Sequence, residues 1–124
     1  FNAAVTNNDD HPRNHAVRRT ARGWRLAPAY DLVPAPVVSL ERRDLAMTIG
    51  TYGRTARVYN LLSLCERFGL TNELAKVQID RLVATLRDWR DHFRACGVSA
   101  KDIDYIAPAL LPECFFFERP VEAH

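Results

Sequence analysis

Apolar and polar positions change their rhythm near residue 54. After it, Val58, Leu61, Leu62, Cys65 and Phe68 recur at threes and fours, and so do Ile79, Leu82, Val83, Leu86, Trp89, Phe93 and Cys96. That period places each set on one face of a helix and predicts helices over about 55–68 and 72–96. Gly69 and Gly97 end them, and Thr71 is a good N-cap for the second. Ser99 and Asp102 form a capping-box-like start for a third helix over about 100–110, around Ile103 and Ile106, with Pro108 badly placed near its end. Phe115, Phe116 and Phe117 follow and are expected to dock on the helices.

Before residue 54 the helical period is missing. Residues 6–14 read Thr-Asn-Asn-Asp-Asp-His-Pro-Arg-Asn. Asn and Asp compete for backbone hydrogen bonds and Pro12 removes a donor, so the stretch is a polar loop. Short strands are predicted at about 15–19 and 24–27 around the turn Thr20-Ala21-Arg22-Gly23, where Gly23 supplies a positive φ. Pro28, Pro34 and Pro36 make the next segment extended and stiff. A further short strand is predicted over about 44–49. The expected fold is mainly α with a β-hairpin near the N-terminus. It divides into a loop-and-hairpin part, residues 1–53, and a helical part, residues 54–124.

The 124 residues are 48% apolar and 26% charged, a globular balance with no run long enough to span a bilayer. A net charge of +2 predicts neither a membrane nor a nucleic-acid partner, so direct DNA binding is not expected. Cys65, Cys96 and Cys114 are widely spaced and odd in number, which fits reduced thiols in a cytoplasm. Cys65 and Cys96 belong to the apolar helix faces. Phe1 to Val5 read as the end of an apolar element, so the chain is expected to be the C-terminal part of a longer or split protein. No signal peptide is visible.

The polar loop carries the candidate chemistry. Asp9 and Asn14 stand in the pattern Asp-x-x-x-x-Asn. In a phosphoryl-transfer loop the Asp orients the attacking hydroxyl and the Asn turns back toward the phosphates to bind Mg²⁺. Asp31 lies seventeen residues beyond Asn14, across the predicted hairpin, as a second metal-binding acid does in kinases. Two carboxylates and an amide oxygen suit Mg²⁺. Arg13 neutralises a phosphate or pairs with Asp10 or Asp31. On spacing alone, a polar turn in which these side chains bond only the backbone explains the pattern equally well.

Asn8-Asp9-Asp10-His11-Pro12-Arg13-Asn14-His15 resembles the catalytic loop of the HipA family of serine/threonine kinases. Trp24-Arg25-Leu26-Ala27-Pro28-Ala29-Tyr30-Asp31-Leu32 resembles that family's second acidic motif. Leu45 to Gly50 and Leu61 to Leu70 are similar to its C-terminal region, so the resemblance covers about residues 1–98. It implies the helical C-lobe of a HipA-like kinase, with Asp9 as catalytic Asp and Asn14 and Asp31 as Mg²⁺ ligands. His11 and Arg13 take loop positions that support or contact phosphate. Asp10 matches a variable position. The implied reaction is transfer from Mg-ATP to a protein Ser or Thr, by the toxin of a toxin–antitoxin pair. The implied partner is a HipB-like DNA-binding antitoxin. The chain departs from the family's kinase pattern in one respect. Its five glycines make no phosphate-covering loop, and Lys76 and Lys101 fall on late helices, so a nucleotide lobe is absent from it and the chain alone is expected to be inactive.

Two further patterns have competing readings. His11 and His15 are four apart beside Asp9 and Asp10, which is a zinc spacing on a helix, but Pro12 lies between them. Arg18, Arg19, Arg22 and Arg25, joined by Arg42 and Arg43, are a solvated face or a contact to an acidic partner or to nucleic-acid phosphates. The alternative to an enzyme is a non-catalytic interaction module that binds an antitoxin or another partner.

Overall fold

The computed structural model describes residues 1–36 and 43–119. Val17–Thr20 (β1) and Gly23–Leu26 (β2) form an antiparallel hairpin in which Val17 faces Leu26, Arg18 faces Arg25 and Arg19 faces Trp24. Gly23 takes a φ of +107°, a backbone region open to glycine at little cost. Among the described residues these are the two strands, and the four α-helices are Val58–Leu62 (α1), Asn72–Arg87 (α2), Trp89–Ala95 (α3) and Ala100–Ile106 (α4). The fold is mainly α with one hairpin, as the residue pattern implies.

The hairpin strands are shifted from the expected 15–19 and 24–27, and four further elements differ. The helix expected over 55–68 is α1 followed by a separate 3-10 turn at Cys65–Phe68, and Phe68 is 78% exposed. The helix expected over 72–96 breaks at Asp88, which leaves helical dihedrals at φ −89° and ψ 10°. Its carbonyl accepts from the Asp91 and His92 N–H groups, so Asp88 closes α2 and opens α3. Cys96 lies past the end of α3 and is exposed, not on an apolar face. The helix expected over 100–110 ends at Ile106 and tightens into a 3-10 turn at Ala107–Ala109, because Pro108 has no N–H to continue it. The strand expected at 44–49 does not form. Isolated bridges join Asp44 to Thr55 and Gly50 to Gly53 instead.

Helix caps follow the sequence signals. The Thr71 hydroxyl accepts from the Leu74 N–H, and the Ser99 hydroxyl accepts from the Asp102 N–H. Two apolar clusters sit against α2. One gathers Ala3, Ala4, Leu45, Ala56, Val83 and Phe115, with Leu61, Ile79 and Leu82 packed on it. The other gathers Val5, Trp89, Ile103, Ala109 and Leu110, with Phe93 and Ile106. Leu86 packs against both. The Trp89 and Phe93 rings meet edge to face with centroids 5.3 Å apart. Phe115 is fully buried, so the tail does dock on the helices, while Phe116 and Phe117 keep about half their surface.

Residues 3–7 are buried at the heart of this packing and lead directly into the polar loop. The loop therefore starts from a fixed base, although its own middle is exposed.

Candidate functional site

Thr6 leaves the buried segment with a φ of +53°. Its hydroxyl donates to the Ala109 carbonyl at 2.8 Å and accepts from Arg43 Nη1 at 3.0 Å. The Thr6 carbonyl accepts from the Ala35 N–H at 3.0 Å, so the base of the loop is tied to the proline-rich segment. Arg43 is buried and does not belong to an exposed basic patch; Arg42 lies outside the described residues. Among the described residues, Arg43 Nε and Nη2 have no hydrogen-bond partner, a costly state for a buried cation.

The loop's last turn, Pro12–Asn14, is a single 3-10 turn with Pro at its start, where the missing N–H costs nothing. It turns Asn14 inward, and Asn14 is buried. Asn14 Oδ1 accepts from the His11 N–H at 3.1 Å. Asn14 Nδ2 donates to Asp31 Oδ2 at 2.6 Å, a short charge-assisted bond. The two candidate metal ligands, seventeen residues apart, are thus in contact.

Asp31 has a φ of +57°, a left-handed conformation that Asp tolerates better than most residues. Two ties hold the segment around it. Asn7, buried, donates from Nδ2 to the Asp31 carbonyl at 3.2 Å and to Asn2 Oδ1 at 3.1 Å. The Tyr30 hydroxyl donates to the Arg13 carbonyl at 2.6 Å. Sequence reasoning gave Asn7 and Tyr30 no role. Asn7 is one of several polar residues in its stretch, and nothing in the order of residues marks it as the buried one.

The remaining candidates lie at the rim. Asp9 is exposed, and no contact joins it to Asn14 or Asp31 among the described residues. Asp10 pairs with His15, Oδ1 to Nε2 at 2.7 Å, rather than with Arg13. The Arg13 side chain is exposed. His11 is half-buried with its Nδ1 shut away from solvent and unpartnered, a polar atom that awaits a hydrogen bond. His11 and His15 do not form a zinc site with these acids: no group of three or more His, Cys, Asp or Glu side chains with metal-binding geometry occurs among the described residues.

A small cavity of about 100 Å³ opens beside the pair, lined by Asp10, Asn14 and His15 on one side and Leu26, Tyr30 and Leu32 on the other. Next to it the hairpin projects into solvent. Trp24 is 68% and Leu26 76% exposed, and Arg18 and Arg25 stand directly opposite each other on the other face. No described helix is long and apolar enough to cross a membrane.

The chain matches the model of the HipA-like C-terminal domain over residues 1–90, a span that includes the loop, the hairpin, Asp31 and all of α1 and α2. No curated protein and no solved structure matches it. The matched span takes in both acidic motifs and the helices that carry their base, and the chain belongs to the HipA-like C-terminal domain family.

Proposed function

We propose that these residues are the metal- and acceptor-handling part of a phosphoryl-transfer site, in the helical C-lobe of a HipA-like protein serine/threonine kinase. The observation that carries this reading is the Asn14–Asp31 contact at 2.6 Å. A buried amide and a carboxylate from the two acidic motifs lie side by side, with Asn14 Nδ2 on the carboxylate and Asn14 Oδ1 on the His11 N–H, and both side chains carry the hard oxygens that Mg²⁺ prefers. The donor set suits the ion: Asp31 offers carboxylate oxygens, and Asn14 Oδ1 keeps a second lone pair beyond the His11 N–H. Mg²⁺ bound there with ATP supplies neutralisation of the phosphate charge.

In this reading the side chains divide the work as follows. Asn14 and Asp31 hold the metal. Asp9, exposed at the mouth of the loop, accepts a hydrogen bond from the incoming Ser or Thr hydroxyl and aims its oxygen. His11 and the exposed Arg13 serve the phosphate side. Arg13 brings a cation, and the backbone at Arg13 is fixed by Tyr30. The substrate class is a protein Ser or Thr, and the family context is a toxin paired with a DNA-binding antitoxin. The free thiols of Cys65, Cys96 and Cys114 fit a cytoplasmic setting. The chain has no Gly-rich loop or strand lysine to hold the nucleotide phosphates, so by itself it transfers none.

A second reading, a non-catalytic interaction module, draws on the exposed hairpin. A two-stranded hairpin with bare Trp24 and Leu26 is marginal in water and gains from a covering partner. One experiment separates the two. Phosphate transfer from Mg-ATP to a protein acceptor is measured in a polypeptide that carries a nucleotide lobe ahead of these residues. Loss of transfer in both Asp9→Asn and Asp31→Asn supports the kinase. Full transfer in both variants leaves the interaction module as the function.

A further inference from the structure

We propose that the hairpin of β1 and β2 is a docking site for an acidic, extended polypeptide segment, which pairs along a free edge as a third strand. The sheet ends at two strands, so the outer edge of each is unpaired. Such an edge presents a row of backbone N–H and C=O groups to an incoming strand. Strand addition takes its affinity from main-chain hydrogen bonds and its specificity from alternate side chains.

The side chains of the hairpin define the strand it accepts. Residues paired across an antiparallel ladder share a face, and the faces alternate along each strand. The register Val17–Leu26, Arg18–Arg25 and Arg19–Trp24 therefore sorts the hairpin into two faces. One carries Val17, Leu26 and Trp24, all exposed, together with Arg19. The other carries Arg18 and Arg25, exposed and directly opposite each other. Like charges in that arrangement repel, so the pair destabilises the hairpin when it stands alone. Arg22 adds a fourth exposed guanidinium at the turn. Residues 16–30 contain no Asp or Glu. Among the described residues, none of these four arginine side chains makes a hydrogen bond or an ion pair. A strand that alternates apolar and acidic residues answers both faces at once. Its apolar side chains continue the Val17, Trp24 and Leu26 face, and its carboxylates reach the Arg18 and Arg25 face, where guanidinium forks hold them in two-point contacts.

Two other occupants fit less well. A second copy of this chain, paired edge to edge, sets its own arginines against these. A nucleic acid meets the arginines but gives Val17 and Leu26 no aliphatic surface to pack on. It also runs on past the hairpin. The whole chain carries +2, and the four arginines supply +4 of it, so the rest of the molecule is net −2 and repels a long polyanion. The inference involves neither the metal ligands nor phosphate transfer, and it holds whether the chain works as a kinase or as an interaction module.

The test uses the whole chain and backbone amide shifts during titration with three probes. The first is a synthetic peptide of about eight residues, a usual strand length, that alternates Glu and Val. The second has the same composition with its Glu and Val in separate blocks, and the third is a single-stranded oligothymidylate of equal length. The expected result is a saturable shift of the β1 and β2 amides with the alternating peptide and weaker binding of the other two probes. The double substitution Arg18→Ala, Arg25→Ala is expected to weaken the alternating peptide about tenfold, the scale of two exposed charge contacts. It also removes a like-charge repulsion, so the melting temperature does not fall and the lost binding is not lost folding. No shift of the hairpin amides with the alternating peptide, binding of either other probe as tightly as that peptide, or undiminished affinity in the double variant would overturn the proposal.

Discussion

Asn14 donates a 2.6 Å hydrogen bond to the carboxylate of Asp31, and this contact joins the end of the polar loop to the far side of the hairpin. Both partners are held by a second bond: Asn14 through the His11 N–H, and the Asp31 backbone through Asn7. The relationship is a clamp whose ends lie on separate segments.

The first prediction separates the acids. Asp31→Asn keeps the size of the side chain and removes its charge, and Asn is at ease at a φ of +57°. The fold is therefore expected to survive, while affinity for Mg²⁺ falls by about tenfold or more, the worth of a lost charged ligand. Asp9→Asn is expected to leave metal affinity unchanged. Calorimetric titration of Mg²⁺ into both variants reads the difference. Equal losses would make Asp9 a metal ligand.

Asn7→Ala removes one buried amide that serves both Asn2 and the Asp31 carbonyl. The expected loss of stability is about 1–3 kcal/mol, from an acceptor left short of a partner in a dry place. Urea unfolding measures it. A midpoint equal to that of the parent chain would show that water replaces the amide.

Gly50→Ala should be among the most damaging substitutions in the chain. A Cβ at Gly50 runs into the backbone carbonyl and side-chain oxygen of Asn60 and the hydroxyl of Ser63. Asn60 is fully buried and cannot retreat. A loss of more than about 2 kcal/mol is expected, in the range of overpacked cores. Thermal unfolding is the measurement, and a melting temperature within a degree of the parent would refute the close approach.

Leu86→Ala tests the union of the two apolar clusters, since Leu86 packs on both. Leu86 is only partly buried. The cost is therefore expected at the low end of the usual range for a core leucine, about 2 kcal/mol. The transition should stay a single step, because the continuous buried segment Ala3, Ala4 and Val5 runs from one cluster into the other. Two resolved transitions after the substitution would mean that Leu86 alone couples them.

Helical periodicity placed Ile79, Leu82, Val83 and Leu86 on the inner face of α2, and the structure puts them there, because a 3.6-residue repeat is a local property. Gly23 at the hairpin turn, and the Thr71 and Ser99 caps, are legible for the same reason. The spacing of Asp9, Asn14 and Asp31 likewise marked the loop and the segment that the family match covers. The break at Asp88 was not legible. Trp89 and Phe93 continue the apolar pattern of α2, and only the need to serve a second cluster separates α3 from it.

The sequence by itself determined the inner face of α2, the caps, the hairpin and the family, since each depends on residues close together in the chain or on an ordered motif. Tertiary structure alone decided which polar residues are buried. Thr6, Asn7, Asn14, Arg43 and Asn60 carry the same residue types as their exposed neighbours. What distinguishes them is the partner each meets: Ala109 for Thr6, Asp31 for Asn7 and Asn14, Thr6 for Arg43, and the 52–55 turn for Asn60. A polar group enters the interior only where a partner replaces water, and several of these partners lie far away along the chain.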